Sequence, residues 1–359
     1  MCGISGYFSV EKNISEQDLK CITDAMPHRG PDASGIYQND TKKVGLGHRR
    51  LSIIDLSNAA NQPMFSACGR FAMVFNGEVF NYLEIKEQLQ LQCKTHSDSE
   101  VILEAFAKEG VSAIHRFNGM FAIAIYDTVQ DLLYLIRDRL GVKPLVYFQL
   151  EKTVAFASEI KGLLQSSFIK KNVEVNKAAL YNFLYLGYVP EPYSAYTNIF
   201  KLPAGSYAVV KNGNLEIFSY WKPEEKVTEN VVTDFKDAKA KLKELLLSSV
   251  KYRMVSDVPF GAFLSGGIDS SLVTALAQIN SKSPLNTFSI GFQEATHNES
   301  KFAKQVANHL GTNHTEFMVS EQDALELVDK IFTAYDEPYA DSSALPTMLV
   351  SKLAKEKVT

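Results

Sequence analysis

Between Cys2 and about Leu202, apolar and polar residues alternate in short runs separated by turn signals. The runs are GISGYFSV, GLGHRRLSIID, FAMVFNGEVF, FAIAIYD, LLYLIRD, PLVYFQL and TVAFASE. Period-two alternation over so few residues predicts antiparallel strands with one covered face. Helical spacing is rarer here: Glu16 to Met26, Leu83 to Leu91, and Ser99 to Gly110, the last with Ser97 or Asp98 placed to cap it. Few helices laid on many strands predict an α+β sandwich.

The pattern changes after residue 203. PAGSYAVVKNGNLEIFSYWKPEEKVTENVV predicts a hairpin around Asn212-Gly213 and then a charged connector. Beyond it, strands and helices take turns. Helix Asp234 to Val250 precedes strand VPFGAFL, helix Ser270 to Gln278, strand NTFSIGF, helix Lys301 to Leu310, strand Thr315 to Val319 and helix Asp323 to Thr333. Such alternation predicts a parallel, doubly wound α/β sheet. The expected organisation is one domain over residues 1–205, a connector over 206–233, and a second domain over 234–359. A last helix, Leu345 to Lys355, is followed by what resembles the start of a further strand, so the second domain is expected to be incomplete. No internal repeat and no low-complexity tract interrupts this layout.

Composition narrows the function classes. The chain has 359 residues, 46% hydrophobic and 22% charged, enough apolar content to bury two cores. Its 37 basic and 41 acidic residues leave a formal charge of −4, with no basic field for nucleic acid and no polybasic membrane anchor. The start, MCGISGYFSVEKN, lacks a secretory signal pattern, and no apolar run is long enough to span a bilayer. A cytoplasmic protein is expected. The cysteines Cys2, Cys21, Cys68 and Cys93 form neither a disulfide framework nor a zinc spacing. Nothing in the pattern fixes the oligomeric state, and a homodimer is compatible with it.

Cys2 is chemically distinctive because it becomes the N-terminal residue once Met1 is removed. A free α-amine has a pKa of roughly 7.7–8.0, so near neutral pH it can take the proton of its own thiol without a histidine. A second-position cysteine alone could be chance. Downstream, however, lie Arg29-Gly30-Pro31-Asp32, Arg50-Leu51-Ser52-Ile53-Ile54-Asp55, Asn76-Gly77-Glu78 and Ser97-Asp98.

Together with Cys2-Gly3-Ile4, these segments resemble the class II glutamine amidotransferases. That resemblance implies an N-terminal-nucleophile αββα sandwich. It also implies that Cys2 attacks the glutamine side-chain amide and forms a thioester, with the Asn76 side chain and the Gly77 N–H as oxyanion hole. Arg50 would pair with the glutamine α-carboxylate, and Glu78 and Asp98 with its α-ammonium. Arg49 is the alternative to Arg50, though the register of RLSI selects Arg50. Asp98 could instead only cap a helix, Asp32 and Arg29 shape a loop, and His28 and His48 serve structure. The segment Arg137 to Pro144 fits both a scaffold role and a solvated charged turn.

The second domain carries Leu264-Ser265-Gly266-Gly267-Ile268-Asp269-Ser270-Ser271 between an apolar strand and a helix. Two glycines let consecutive N–H groups face one anion, the serines add hydroxyl donors, and the helix start supplies a favourable dipole. Asp269 is placed to hold Mg²⁺ against phosphates. No lysine follows the glycines, so this is not a Walker loop. The string resembles the PP-loop of ATP pyrophosphatases. The likeness extends to Phe288-Ser289-Ile290-Gly291-Phe292, Asp336-Glu337-Pro338 and Asp341-Ser342-Ser343. It implies ATP binding by Leu264, Ser265, Gly266, Gly267, Asp269, Ser270 and Ile290, with Leu264 and Ile290 as adenine walls or as plain core. The segment Asp336 to Pro346 is expected along the far side of that site.

Both halves together resemble the glutamine-hydrolysing asparagine synthetases, whose substrates are glutamine, ATP and aspartate. That family continues with a second Gly- and acid-rich loop beyond Thr359, so the chain as given is expected to keep glutaminase chemistry only. Amination of another carboxylate, such as a sugar acid in surface polysaccharide synthesis, remains the alternative. A sugar-phosphate aminotransferase is disfavoured by SGGIDSS. A non-catalytic interaction module is disfavoured by the joint presence of Cys2, Arg50, Asn76, Gly77 and Asp98.

Overall fold

The computed structural model describes residues 1–225, 227, 231–292 and 300–359. It divides into two compact units, Met1–Val227 with Asp336–Tyr339, and Thr228–Tyr335 with Ala340–Thr359.

The first unit opens with strand β1 (Gly3–Ser9), helix α1 (Glu16–Asp24), β2 (Ala33–Gln38), β3 (Val44–Arg50), β4 (Met64–Phe65) and β5 (Phe71–Val79). Helices α2 (Tyr82–Gln88) and α3 (Asp98–Glu109) follow, then β6 (Gly119–Asp127), β7 (Leu132–Arg137), β8 (Val146–Leu150) and β9 (Thr153–Ala157). Helices α4 (Ile160–Leu163), α5 (Ser167–Lys171) and α6 (Lys177–Leu186) precede β10 (Ile199–Lys201), β11 (Ser206–Lys211) and β12 (Asn214–Ser219). The strands make two six-stranded sheets, in the orders β10-β8-β9-β1-β3-β2 and β12-β11-β7-β6-β5-β4. Every pairing in both is antiparallel.

Period-two alternation decides how the layers stack. Ile4, Phe8, Val44, Leu46 and Phe156 of one sheet meet Ala72, Val74, Ala122, Ala124 and Leu135 of the other in an inner core. The opposite face of the first sheet, with Tyr7, Phe148 and Ala155, is covered by Leu19 and Ile22 of α1 and Ile160 and Leu163 of α4. Phe75, Phe121 and Ile123 on the outer face of the second sheet are covered by Ile85 of α2 and Val101, Ile102 and Phe106 of α3. The layers run helix, sheet, sheet, helix, as the resemblance implies.

One boundary differs from expectation. The hairpin around Asn212-Gly213 is not a connector: β11 pairs with β7 from Tyr207↔Ile136 to Lys211↔Leu132 and extends the second sheet. Ala208 and Val210 enter the inner core, which is why that strand stays with the first unit. Asp336–Tyr339 also belongs to this unit. Asp336 accepts from the Ile160 N–H at 2.5 Å, and Glu337 meets Lys201 Nζ at 2.6 Å and the Ala195 N–H at 2.6 Å.

The second unit begins with helix α7 (Phe235–Tyr252), capped by the Asp234 side chain. Strand β13 (Gly261–Phe263), helix α8 (Ile268–Asn280), β14 (Asn286–Phe292), α9 (Ser300–Leu310) and β15 (Asn313–Val319) follow, then α10 (Glu321–Ala334) and α11 (Ala344–Ala354). The three strands pair in parallel in the order β13-β14-β15. Leu264 packs with Ala303 and Ala307 of α9, while Phe288 packs with Val350 and Ala354 of α11, so helices cover both faces. No helix among the described residues is long and apolar enough to cross a membrane.

Candidate active site

The first unit gathers its chemistry where β1 and β3 of one sheet face β5 of the other. Cys2 immediately precedes β1, which pairs with β3 through Gly3↔Arg49 and Ile4↔His48. The Cys2 Sγ lies 3.4 Å from the Leu51 N–H, and its own S–H faces the Leu51 carbonyl at 3.6 Å. Burial pushes the thiol pKa up, while the Leu51 amide and the nearby N-terminal amine pull it down. That amine, on Met1 in this chain, is drawn down to about 6, first by burial and further by Lys143 and Arg29, against the Cys2 thiolate. At neutral pH it is therefore mostly an unprotonated base beside the sulfur.

Asn76 and Gly77 lie on β5. Asn76 is 0% exposed, and neither its Nδ2 nor its Oδ1 meets a hydrogen-bond partner. Orphaned amide atoms at such depth are costly unless something else satisfies them, and both are free to meet a bound group. Gly77 has φ +155°, and a Cβ there would lie 2.1 Å from the Met120 carbonyl oxygen. Only glycine fits, which leaves its N–H open to a close approach.

Arg50 ends β3, buried, with Nη1 donating to the Ser57 carbonyl and to Asn61 Oδ1, each at 2.7 Å, and Nη2 to the Asp55 carbonyl. These contacts fix the guanidinium at the site's edge. Asp98 is the first residue of α3, with Ser97 rather than Asp98 as the cap, since Ser97 Oγ accepts from the Ser99 N–H at 3.1 Å. The Asp98 carboxylate is thus released from capping and accepts from the Val79 N–H at 3.0 Å. Burial raises its pKa to about 7, and the neighbouring Glu78 carboxylate adds to the rise. Asp98 and Arg50 both act electrostatically on the Cys2 thiol, so all three share one site.

Two residues here do more than their sequence suggested. Arg29, expected to shape a loop, donates Nε to the Cys2 carbonyl at 2.9 Å and Nη1 to Glu159 at 2.9 Å. It holds the backbone of Cys2. Burial opposes ionisation of Glu159, but Arg29 and His28 outweigh it and keep the carboxylate below its usual range. Lys143 was unforeseen as part of the site. The Asp138 carboxylate, itself buried, accepts from the N–H groups of Phe121, Leu140, Val142 and Lys143 and shapes the turn. That turn delivers Lys143 inward, where burial lowers its pKa and Glu78 and Cys2 raise it. A lysine in a charged turn gives no sequence signal of burial. Asp32 keeps its structural role and accepts from the Ser52 N–H at 2.8 Å.

In the second unit, Ser265, Gly266 and Gly267 join β13 to α8, with Gly267 at the helix N-cap. Ser265 and Ser270 hydroxyls lie 3.0 Å apart, and the Gly267 N–H donates to Ser265 Oγ at 3.3 Å. Gly266 takes φ +86°, and a Cβ there would sit 2.5 Å from the Ala303 nitrogen. Asp269 is exposed in the first turn of α8. Among the described residues no three His, Cys, Asp or Glu groups converge as a metal cage. The Asp269 carboxylate beside this Gly- and Ser-rich loop fits Mg²⁺ held jointly with a nucleotide's phosphates. Leu264 packs with Ala303 and Ala307 of α9, and the partly buried Ile290 packs with Phe288 and the α11 side.

These two sites define a glutamine amidotransferase unit followed by an anion-loop α/β unit. Residues 1–221 match the glutamine amidotransferase domain model, and residues 241–359 match the asparagine synthase model. A Methanocaldococcus jannaschii protein, provisionally named glutamine-hydrolyzing asparagine synthetase 2, is 40% identical over all of this chain and 73% of its own length. Glutamine-hydrolyzing asparagine synthetase 1 of Bacillus subtilis is 34% identical over all of this chain and 56% of its length. Asparagine synthetase B of Escherichia coli is 32% identical over 99% of this chain and 61% of its length. The chain belongs to the glutamine-hydrolysing asparagine synthetase family and spans a little over half the length of the latter two relatives.

Proposed function

We propose that the first unit hydrolyses glutamine to glutamate and ammonia, with Cys2 as nucleophile after loss of Met1. The observation that carries this is the buried, partnerless Asn76 amide beside Gly77, on a strand whose next residue, Glu78, acts on the same N-terminal amine as the Cys2 thiol. The N-terminal amine takes the thiol proton, and sulfur attacks the side-chain carbonyl carbon of glutamine. Negative charge gathers on the carbonyl oxygen, where Asn76 Nδ2 and the Gly77 N–H donate to it. The amine returns the proton to the leaving nitrogen, ammonia departs, and a thioester remains. Water then adds at the same carbon and releases glutamate. Arg50 fits the α-carboxylate, and Glu78 with Asp98 the α-ammonium.

For the whole protein we infer asparagine synthesis, on family membership and the anion loop of the second unit. Ser265, Gly266, Gly267 and Ser270 would hold ATP phosphates, and Asp269 a Mg²⁺ ion whose charge offsets theirs. Aspartate becomes an acyl-adenylate with loss of pyrophosphate, and ammonia displaces AMP to give asparagine.

The first test incubates the chain with glutamine alone and measures glutamate, with the mature N-terminal mass determined alongside. Turnover from a chain lacking Met1, lost by about 10⁴-fold or more in Cys2→Ala, is the expected result. A correctly processed chain that makes no glutamate overturns the amidase reading. For the second half, mass spectrometry of the product formed by the whole protein from glutamine, ATP and aspartate decides the acceptor.

A further inference from the structure

Strand β5 has two edges that are satisfied in different ways. One edge runs the length of β6, from Phe71↔Asp127 to Val79↔Gly119. The other meets β4 only at Met64↔Met73 and Phe65↔Ala72, so beyond Met73 it has no strand partner among the described residues. An uncovered edge frays unless something caps its amides. Side chains do so here. The Phe75 N–H donates to Gln62 Oε1 at 2.6 Å, and the Phe75 carbonyl accepts from His48 Nε2 at 3.1 Å. Further along, the Val79 N–H donates to Asp98 Oδ2 at 3.0 Å.

Alternate residues of an antiparallel strand direct their N–H groups to the same edge. The Gly77 N–H therefore lies between the capped amides of Phe75 and Val79 and faces the same way. Neither cap is casual. Gln62 is buried and completes itself by donating Nε2 to Ser99 Oγ at 3.2 Å. His48 is fully buried, and its carbonyl partner fixes the proton on Nε2. Asn76, by contrast, has no side-chain hydrogen bond of its own, so its placement is inherited from the peptide before it. His48 holds that peptide by its carbonyl, and Gln62 holds the one before it by the Phe75 N–H.

We propose that Gln62 and His48 are positioning residues for the oxyanion hole: they pin the two peptides that flank Phe75 and thereby aim the Asn76 amide and the Gly77 N–H. This rests on the reading that Cys2 cleaves an amide whose oxygen these two donors receive. Neither residue touches substrate. Their loss should lower kcat and leave glutamine binding, which belongs to Arg50, Glu78 and Asp98, nearly unchanged.

The experiment compares Gln62→Met, Gln62→Glu, His48→Leu and His48→Gln with the unsubstituted chain. Gln62→Met and His48→Leu remove the contacts. Gln62→Glu keeps an acceptor for Phe75, and His48→Gln keeps a donor. Expected are kcat losses of about 10- to 100-fold for the first pair, short of the roughly 10²–10³ for deleting an oxyanion donor. The second pair should recover to within about fivefold, with KM for glutamine within about twofold throughout. Alkylation of Cys2 by iodoacetamide should keep its rate, because it needs no oxyanion hole, and amide hydrogen exchange at Gly77 should quicken in Gln62→Met. A kcat unchanged in folded Gln62→Met, a KM that rises as kcat falls, or a folded Gln62→Glu as damaged as Gln62→Met each overturns the proposal. If Gln62→Met fails to fold, Gln62→Glu and the His48 pair decide the matter by the same criteria. Should the unsubstituted chain itself make no glutamate, the amidase reading fails, and Gly77 exchange still tells whether the brace exists.

Discussion

In the first unit Asn76, Asp98, Arg50 and Lys143 are all buried, whereas in the second Ser265, Gly267 and Asp269 stand exposed. The cores differ in the same direction. Three broad clusters hold the sandwich, against three clusters of only three buried residues each around the parallel sheet. The contrast separates two ways of receiving a charged ligand. One site is assembled from strands far apart in sequence and enclosed, so its groups are desolvated and their pKa values move. The other is a strand–loop–helix device whose donors are neighbours in sequence, and it needs little enclosure to exist. Enclosure thus gives pre-organisation, and with it a larger loss when one group is removed.

The sharpest attack on that contrast is Asn76→Ala. Deleting a buried donor aimed at a developing oxyanion should lower glutaminase kcat by roughly 10²–10³ with little change in KM. Steady-state glutamate release over a range of glutamine concentrations measures both. A rise in KM at constant kcat would make Asn76 a ground-state binder and take the oxyanion hole out of the argument.

Asp98→Asn tests the electrostatic half. The Asp98 carboxyl is raised to about 7 by burial and by Glu78, so below that pH it is largely protonated in the free enzyme. Glutamine's ammonium needs the carboxylate, and kcat/KM should therefore climb as pH rises through about 7 and level off above it. Burial, which draws the Met1 amine down in this chain, should likewise draw down the amine freed on Cys2 and set a separate, lower limb where protonation disables the base. In Asp98→Asn the limb near 7 should vanish and the lower one persist, with KM raised about 30-fold, the low end for loss of one member of a buried charge pair. An intact limb near 7 would assign it to another group.

What the sequence made legible follows the same division. The second unit's loop was readable because all of its parts are adjacent: apolar strand, two glycines, serines, Asp269 and the α8 helix. In the first unit the motif residues were readable, but their supports were not. Gln62 lies in a turn-rich stretch, His48 looks like one more strand residue, and Lys143 sits among charges. Each acquires its role only when two sheets and a loop are stacked, and alternation along a strand does not say which strand will be its neighbour. The hairpin β11–β12 was placed in a connector for the same reason. Its turn was local and visible, while its pairing with β7, from Tyr207↔Ile136 to Lys211↔Leu132, joins residues far apart in sequence.

The smallest expected effect belongs to the exposed site and checks that its geometry, though open, is still specified. Gly266 holds φ +86°, and a methyl group there would meet the Ala303 nitrogen at 2.5 Å and Phe302 Cβ at 2.7 Å. Ala303 is locked by its packing with Leu264 and Ala307, so the strain of Gly266→Ala falls on the loop and not on α9. A positive φ forced on alanine costs about 1–3 kcal/mol, and the loop relieves it by turning its N–H groups off the anion. MgATP affinity should then fall about 10-fold in titration calorimetry, since 1.4 kcal/mol is one decade. Undiminished binding would mean that the glycines serve only the packing of α8 against α9. The phosphate cradle would then lie elsewhere, and the contrast between an enclosed site and a local one would lose its second member.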